Sequence, residues 1–179
     1  MPLNLTKKYP ELLELIGSMR SMLESLRGIY ERDIENNLDF KFRGIPIHPL
    51  KSEGHLDMDR TFKHLTNREY DQYDENGNLL PDKRREFDIA RSKRLHWINH
   101  HVHENTPENI EVFTVVERNH KKHQDETHTY IYDRVHKYVV VFNRRENKHF
   151  YLLSAYYLDE PYAEKMMKKK MKKKLQEVI

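Results

Sequence analysis

Thr127-His128-Thr129-Tyr130-Ile131-Tyr132-Asp133 and, one short turn later, Tyr138-Val139-Val140-Val141-Phe142 decide the fold. The first stretch alternates His and Tyr with Thr and Ile, which is the period of a strand. The second is apolar throughout, the pattern of a strand covered on both faces. Ile110–Val116 upstream is a β-branched run, and Phe150–Leu158 downstream makes a fourth strand. The connections are short and polar, with 143–148 suited to a hairpin loop, so the four strands are expected as an antiparallel meander.

Ahead of these strands the period is helical. Residues 8–36 carry Leu12, Ile16, Met19, Leu23, Leu26, Ile29 and Tyr30 at three- and four-residue steps, which predicts one long amphipathic helix. Packing, or a homodimer formed through this helix, is its expected use. Phe40–Pro49 reads as a short edge strand or extended loop, and Met58–Leu65 as a short helix started by Asp57 or Asp59. Asp74–Asn78 is a polar turn expected to divide the helical part from the rest. A second helix is expected from Asp82 as N-cap, with Phe87, Ala90, Arg91, Leu95 and Ile98 on or beside one face. It should fray by Asn105-Thr106-Pro107.

Helices followed by an antiparallel meander give an α+β fold, with one sheet face on the second helix. The expected organisation is an N-terminal helical extension and connecting segment over 1–80, an α+β domain over 81–163, and a lysine-rich helix or tail over 164–179.

Composition narrows the function. A chain of 179 residues suits one domain with an appendage. No stretch approaches the roughly 18 apolar residues of a membrane span, so no membrane partner is expected. The absence of cysteine removes thiol nucleophiles, Cys-ligated zinc and iron–sulfur clusters, and fits a reducing, cytoplasmic setting. The five glycines stand far apart, so there is no phosphate-cradling loop. No cofactor is expected. Charge is uneven: residues 164–179 hold seven lysines against two glutamates, and nine of the twelve histidines lie between 81 and 151. A polyanion would be met in the C-terminal half.

Arg91-Ser92-Lys93-Arg94-Leu95-His96-Trp97-Ile98 is the most informative window for chemistry. Arg91 and Arg94, three apart, can reach one side of a helix. Guanidinium groups hold phosphate bidentately, and the His96 imidazole suits proton transfer near neutrality. The plainer alternative is two solvated arginines and a histidine capping a carbonyl.

Phe87-Asp88-Ile89-Ala90-Arg91, then Arg94-Leu95-His96-Trp97-Ile98, then Lys137-Tyr138-Val139-Val140-Val141 and Tyr151-Leu152-Leu153-Ser154-Ala155-Tyr156, resemble the phage-associated branch of the barnase–EndoU–colicin–RelE-like nucleases. The resemblance covers about residues 84–160, and Phe62-Lys63-His64-Leu65-Thr66 is similar to a further segment of that family. Ser154 stands where the family often has Thr, and Ala90-Arg91 inverts the order of its helix pair. The resemblance implies a metal-independent endoribonuclease in which the ribose 2′-OH attacks the neighbouring phosphate, leaving a 2′,3′-cyclic phosphate and a 5′-OH. It further implies a toxin or phage-conflict role, with an antitoxin or immunity protein as partner. In that reading Arg91 and Arg94 clamp the phosphate and Arg134 joins from the turn after the second strand. His96 is the first choice as base or acid. His128, outward with Tyr130 and Tyr132, is the second. Ser154, with Tyr157 nearby, bonds the phosphate or the base.

Two other signals weigh less. Arg91–His96 satisfies the R-x4-H spacing of all-helical nucleases, but 14 arginines and 12 histidines produce roughly one such match by chance. His96 and His100 are four apart with His101 and His103 behind, yet the Glu of an H-E-x-x-H zinc site is missing, so surface histidines are the expectation rather than a metal centre. In the lysine-rich segment, Lys168, Lys169, Lys172 and Lys173 are expected to contact RNA, while Met166, Met167 and Met171 give a partial apolar side. The competing reading is a non-catalytic RNA-binding or protein-interaction module on the same fold. An enzyme requires Arg91, His96 and Ser154 or His128 to converge on one pocket.

Overall fold

A computed structural model describes residues 2–49, 51–52, 55–145 and 149–179. In chain order the elements are α1 (Pro2–Thr6), α2 (Met19–Tyr30) continued by a π-helical turn (Glu31–Glu35), β1 (Lys41–Phe42), β2 (Ile45–His48), β3 (Lys51–Ser52) and β4 (His55–Leu56). There follow α3 (Met58–Thr66), β5 (Asn67–Tyr70), β6 (Arg84–Phe87), α4 (Ile89–Ser92), α5 (Trp97–Val102), β7 (Ile110–Asn119), β8 (Gln124–Asp133), β9 (Tyr138–Arg145), β10 (His149–Tyr157) and α6 (Ala163–Met171). The fold is α+β, as the change of period implies.

The four expected strands are β7 to β10, and neighbours pair antiparallel in chain order. The sheet they belong to is nevertheless six-stranded and mixed, in the order β1-β2-β10-β9-β8-β7. The expected four-stranded antiparallel sheet is thus corrected. The Phe40–Pro49 segment, with Ile47 beside Phe150 and His48 beside Tyr151, adds β2 parallel to β10 and carries β1 at the edge. Phe42, Phe142 and Phe150 explain the addition, since their rings lie 4.8 to 5.7 Å apart and bury one another. The hairpin loop expected at 143–148 lies in part outside the described residues; residues 143–145 still belong to β9.

Two helix expectations also change. The long helix over 8–36 begins only at Met19. Ser18 accepts from the Ser21 N–H as N-cap, and Gly17 just before it takes φ +98. Leu26, Ile29 and Tyr30 are fully buried in the chain's own core, while Ile16 and Met19 stay exposed. The helix expected from Asp82 is replaced by β6, which pairs with β5 around the Glu69–Arg85 ion pair. The helical cap is Asp88, which accepts from the Arg91 N–H at 2.9 Å. Between α4 and α5 the bonds run from Arg94 to Arg91, Leu95 to Ser92 and Trp97 to Arg94, a tighter i-to-i−3 pattern that turns the chain. Arg94 and His96 therefore do not share a continuous helix with Arg91.

The short helix after Asp57 forms as expected, Asp57 accepting from the Arg60 N–H at 2.8 Å. The Asp74 turn forms too, but as the tip of the excursion between the paired strands β5 and β6. One cluster buries Leu13, Leu26, Ile29 and Tyr30 together with Trp97, Tyr138 and Phe142, so segments either side of residue 80 share a core. A second, smaller cluster on the other sheet face joins Phe113, Tyr130, Tyr132 and Val139 to Met167 of α6. The lysine-rich segment is thus a docked helix.

Beyond α6 the chain crosses the bare edge of β7. The Leu175 N–H donates to the Thr114 carbonyl at 2.8 Å, the Ile179 N–H to Thr114 Oγ1 at 3.0 Å, and Thr129 Oγ1 to the Ile179 carbonyl at 2.6 Å. Val178 packs against the first core. An edge strand left bare is a template for other chains, and this hook covers it. No helix among the described residues is long and apolar enough to cross a membrane.

Candidate functional site

Alternation along β7 and β8 places His128, Tyr130 and Tyr132 on the face covered by α6. This corrects the expectation that they point outward: Tyr130 and Tyr132 are buried under that helix. Val115 is the direct partner of His128, so Glu117, two residues on, is its diagonal neighbour. Glu117 Oε2 accepts from His128 Nδ1 at 2.9 Å and from Tyr130 Oη at 2.9 Å, while Oε1 accepts from Lys170 Nζ of α6. The bond from His128, with those from Lys170 and Tyr130, outweighs burial and holds the Glu117 carboxyl at about 2. A carboxylate so held fixes the imidazole with Nδ1 as donor, leaving Nε2 to face elsewhere. Nε2 lies 3.4 Å from Glu126 Oε2. Phe113, the cross-strand partner of Tyr130, stacks beside its ring at 5.2 Å.

Glu117 and Lys170 form part of the wall of a cleft of about 480 Å³ between β7 and α6. Arg118, His120, Lys169 and Lys173 complete its polar lining, with Val115, Val116 and Met166 as the apolar part. Arg118 is paired with Asp125 at 3.1 Å. Four cationic side chains on one concave surface make it suited to an anion. Of the four lysines expected to meet RNA, Lys169 and Lys173 line this cleft. Lys168 and Lys172 are exposed on the same segment and do not.

Ser154 sits at an irregularity in the β9–β10 register, next to Leu152, and pairs with Val141, which pairs in turn with Tyr130. Ser154 is therefore two strands from Tyr130 along one lateral row, about 10 Å from strand spacing alone. It does not line the cleft and is not hydrogen-bonded to its carboxylate.

The remaining expected residues are elsewhere. His96, the first choice for acid or base, is 5% exposed, and neither ring nitrogen has a hydrogen-bond partner. Burial first, and then Arg32, pushes it down to about 4. It packs on the helical side of the sheet, away from His128. Arg91 donates through Nη1 to the carbonyls of His64 and Asn67, at 2.9 and 2.8 Å. Arg94 donates to the Ala90 carbonyl at 2.6 Å and lies 3.9 Å over the Tyr157 ring. Burial lowers both guanidiniums, and both Nε atoms are buried without a partner. Nη1 of each serves backbone carbonyls, and Arg91 also lies 3.9 Å from the Asp88 carboxylate, so both are engaged within the fold. The small cavity beside Arg91, about 160 Å³, is lined by Asp159 and Glu160 as well as Arg68, a poor lining for phosphate. Arg134, exposed in the β8–β9 turn, pairs with Glu111 at 3.1 Å.

Of the expected set, the structure sets Lys169 and Lys173 on the cleft and joins His128 to it through Glu117, while Arg91, Arg94, His96, Arg134 and Ser154 are not among its lining residues. Sequence reasoning missed Glu117, Tyr130 as a hydrogen-bond donor, Lys170, Arg118 and His120. Period-two reading already placed Tyr130 with His128; what it lacked was the β7–β8 register that sets Glu117 beside them. No protein-family model matches this chain, and neither a curated protein nor a solved structure does so.

Proposed function

We propose that this chain is a metal-independent endoribonuclease whose reaction centre is His128 rather than His96. The observation that carries the reading is a single carboxylate, Glu117, bonded to both His128 Nδ1 and Lys170 at the wall of a cationic cleft. In this reading His128, whose two ring nitrogens face the carboxylates of Glu117 and Glu126, donates its Nε2 proton to the leaving 5′-oxygen. Lys169, Lys170, Lys173 and Arg118 stabilise the charge that builds on the phosphorane. His120 on the rim supplies the second imidazole, to take the proton of the ribose 2′-hydroxyl. The products would be a 2′,3′-cyclic phosphate and a 5′-OH.

The test is incubation of the full chain with total RNA in EDTA, followed by analysis of fragment ends. Cyclic phosphates that fall at least about 100-fold with His128→Ala are expected, the lower end for loss of an acid–base group. Full activity in that variant would overturn the reading.

A second reading is favoured by the separation of Arg91, Arg94 and His96 from the cleft: a non-catalytic RNA-binding module that uses the same lysines. In that case the RNA stays intact but binds, with affinity falling steeply as salt rises.

A further inference from the structure

The hook from α6 meets the edge of β7 at one backbone group, where the Leu175 N–H reaches the Thr114 carbonyl. In an antiparallel ladder, successive residues turn their backbone groups alternately toward the partner strand and away from it. Thr114 turns outward, so Val116 and Arg118 turn outward with it, while Val115 and Glu117 face β8. β7 is the last strand of the sheet, so no further strand meets these groups. Among the described residues, nothing hydrogen-bonds the outward N–H and C=O groups of Val116 and Arg118.

The cleft opens onto this stretch. It reaches Glu117 on the α6 side of β7 and Val116 and Arg118 on the other, and so wraps the edge. Val116 and Met166 are 52% and 53% exposed there, which leaves apolar surface for a partner's side chains. Lys169 and Lys173 are exposed and have no carboxylate partner among the described residues, whereas Lys170 is held by Glu117. Glu117, the carboxylate on that wall, is already bonded to His128, Tyr130 and Lys170.

We propose that the β7 edge from Val116 to Arg118 takes up an extended, acidic segment of a partner protein as an added strand. The partner's main chain pairs with the outward groups of Val116 and Arg118, the source of affinity in such additions. Its side chains alternate, so one set points to Lys169 and Lys173 and the other to Val116. The chemistry selected is carboxylates at every second position with β-branched apolar residues between them. A second copy of this chain is a poorer occupant, because it would bring its own α6 lysines against these, and lysines beside an open edge oppose self-pairing. Single-stranded RNA offers phosphates to the lysines but no row of N–H and C=O groups to Val116 and Arg118. The proposal goes beyond the cleavage reading and does not rest on it.

The test titrates the full chain with a peptide alternating glutamate and valine, about six residues long, the length of an ordinary strand. With the peptide at about ten times its Kd, amide exchange should slow about tenfold at Val116 and Arg118. Exchange at Val115 and Glu117, already turned to β8, should change less. Two N-methylated forms of the peptide, one at every valine and one at every glutamate, keep its charge. Whichever turns its N–H groups to β7 should bind at least about tenfold more weakly than the other. Lys169→Gln with Lys173→Gln should weaken the unmodified peptide about three- to tenfold, with circular dichroism reporting that the sheet persists. Equal binding by the two methylated forms, unchanged exchange at Val116 and Arg118, or unchanged affinity in the double variant would each overturn the proposal. So would a single-stranded oligouridylate that binds where the peptide does not. A peptide that binds in this way to a chain that leaves RNA uncut would uphold the strand and remove only the cleavage reading.

Discussion

Glu117 Oε2 lies 2.9 Å from His128 Nδ1, one strand away and two residues out of register. The pair links sheet to helix, because the same carboxylate binds Lys170. Glu117→Gln keeps the shape and removes the charge that orients the imidazole. On the proposed mechanism this variant should cleave RNA at least about tenfold more slowly than the parent, with cyclic-phosphate yield as the readout.

The same carboxylate makes a stability prediction. Its folded value of about 2 is below the ordinary 4.5, so its contribution is complete above about pH 4.5 and is lost as the pH falls toward 2. Urea unfolding at pH 6 and pH 2 should show Glu117→Gln to be destabilised at pH 6 by about 1–3 kcal/mol, with most of that difference gone at pH 2.

His96 should act in the opposite sense to a useful charge. Held at about 4 in the folded chain, it takes up a proton more readily once unfolded, so it costs stability as the pH drops from about 6.5 toward 4. Replacing it with Leu should raise the urea midpoint more at pH 5 than at pH 7.5, the difference being about 1–2 kcal/mol. An equal effect at both pH values would contradict the neutral, buried imidazole.

Thr114 and Thr129 share a buried hydroxyl pair, 3.0 Å apart, that also receives the chain around Ile179. Thr114→Val leaves a donor at Ile179 and a partner at Thr129 unmet. Denaturant unfolding should record a loss of about 1–3 kcal/mol. The double variant with Thr129→Val should cost less than the sum of the two single changes.

If RNA lies in the cleft, lysines of one helix should differ in their effect. Lys169→Gln with Lys173→Gln should lower the slope of log affinity against log salt by about 1.4, from two lost phosphate contacts on a single strand. Lys168→Gln with Lys172→Gln should change it less. Fluorescence anisotropy across a salt series gives both slopes.

Strand β8 was legible from its alternation, β7 and β9 from their β-branched and continuous apolar runs, and the Asp57 cap because its carboxylate precedes an amphipathic turn. The parallel addition of β2 was not, since pairing between residues a hundred positions apart leaves no local trace. Asp82 and Asp88 are equally good caps by type. Strand β6 decides between them, through a cross-strand partner that the sequence does not announce. The site divides in the same way. His128 and the lysines stand out by type and alternation, whereas Glu117 looks like any solvated carboxylate until the register of β7 on β8 is known. His96 misled because its neighbours suit phosphate chemistry, while the tight turn at 93–96 buries its ring instead.

The hook over the edge of β7 has a consequence for the order of assembly during synthesis. Residues 163–179 leave the ribosome after every strand of the sheet, and they supply one whole wall of the cleft as well as its cover at the edge. A growing chain can therefore have its complete sheet while His128 and Glu117 still lack Lys170. Until residues 163–179 have emerged and docked, the cleft has only the wall that the sheet supplies.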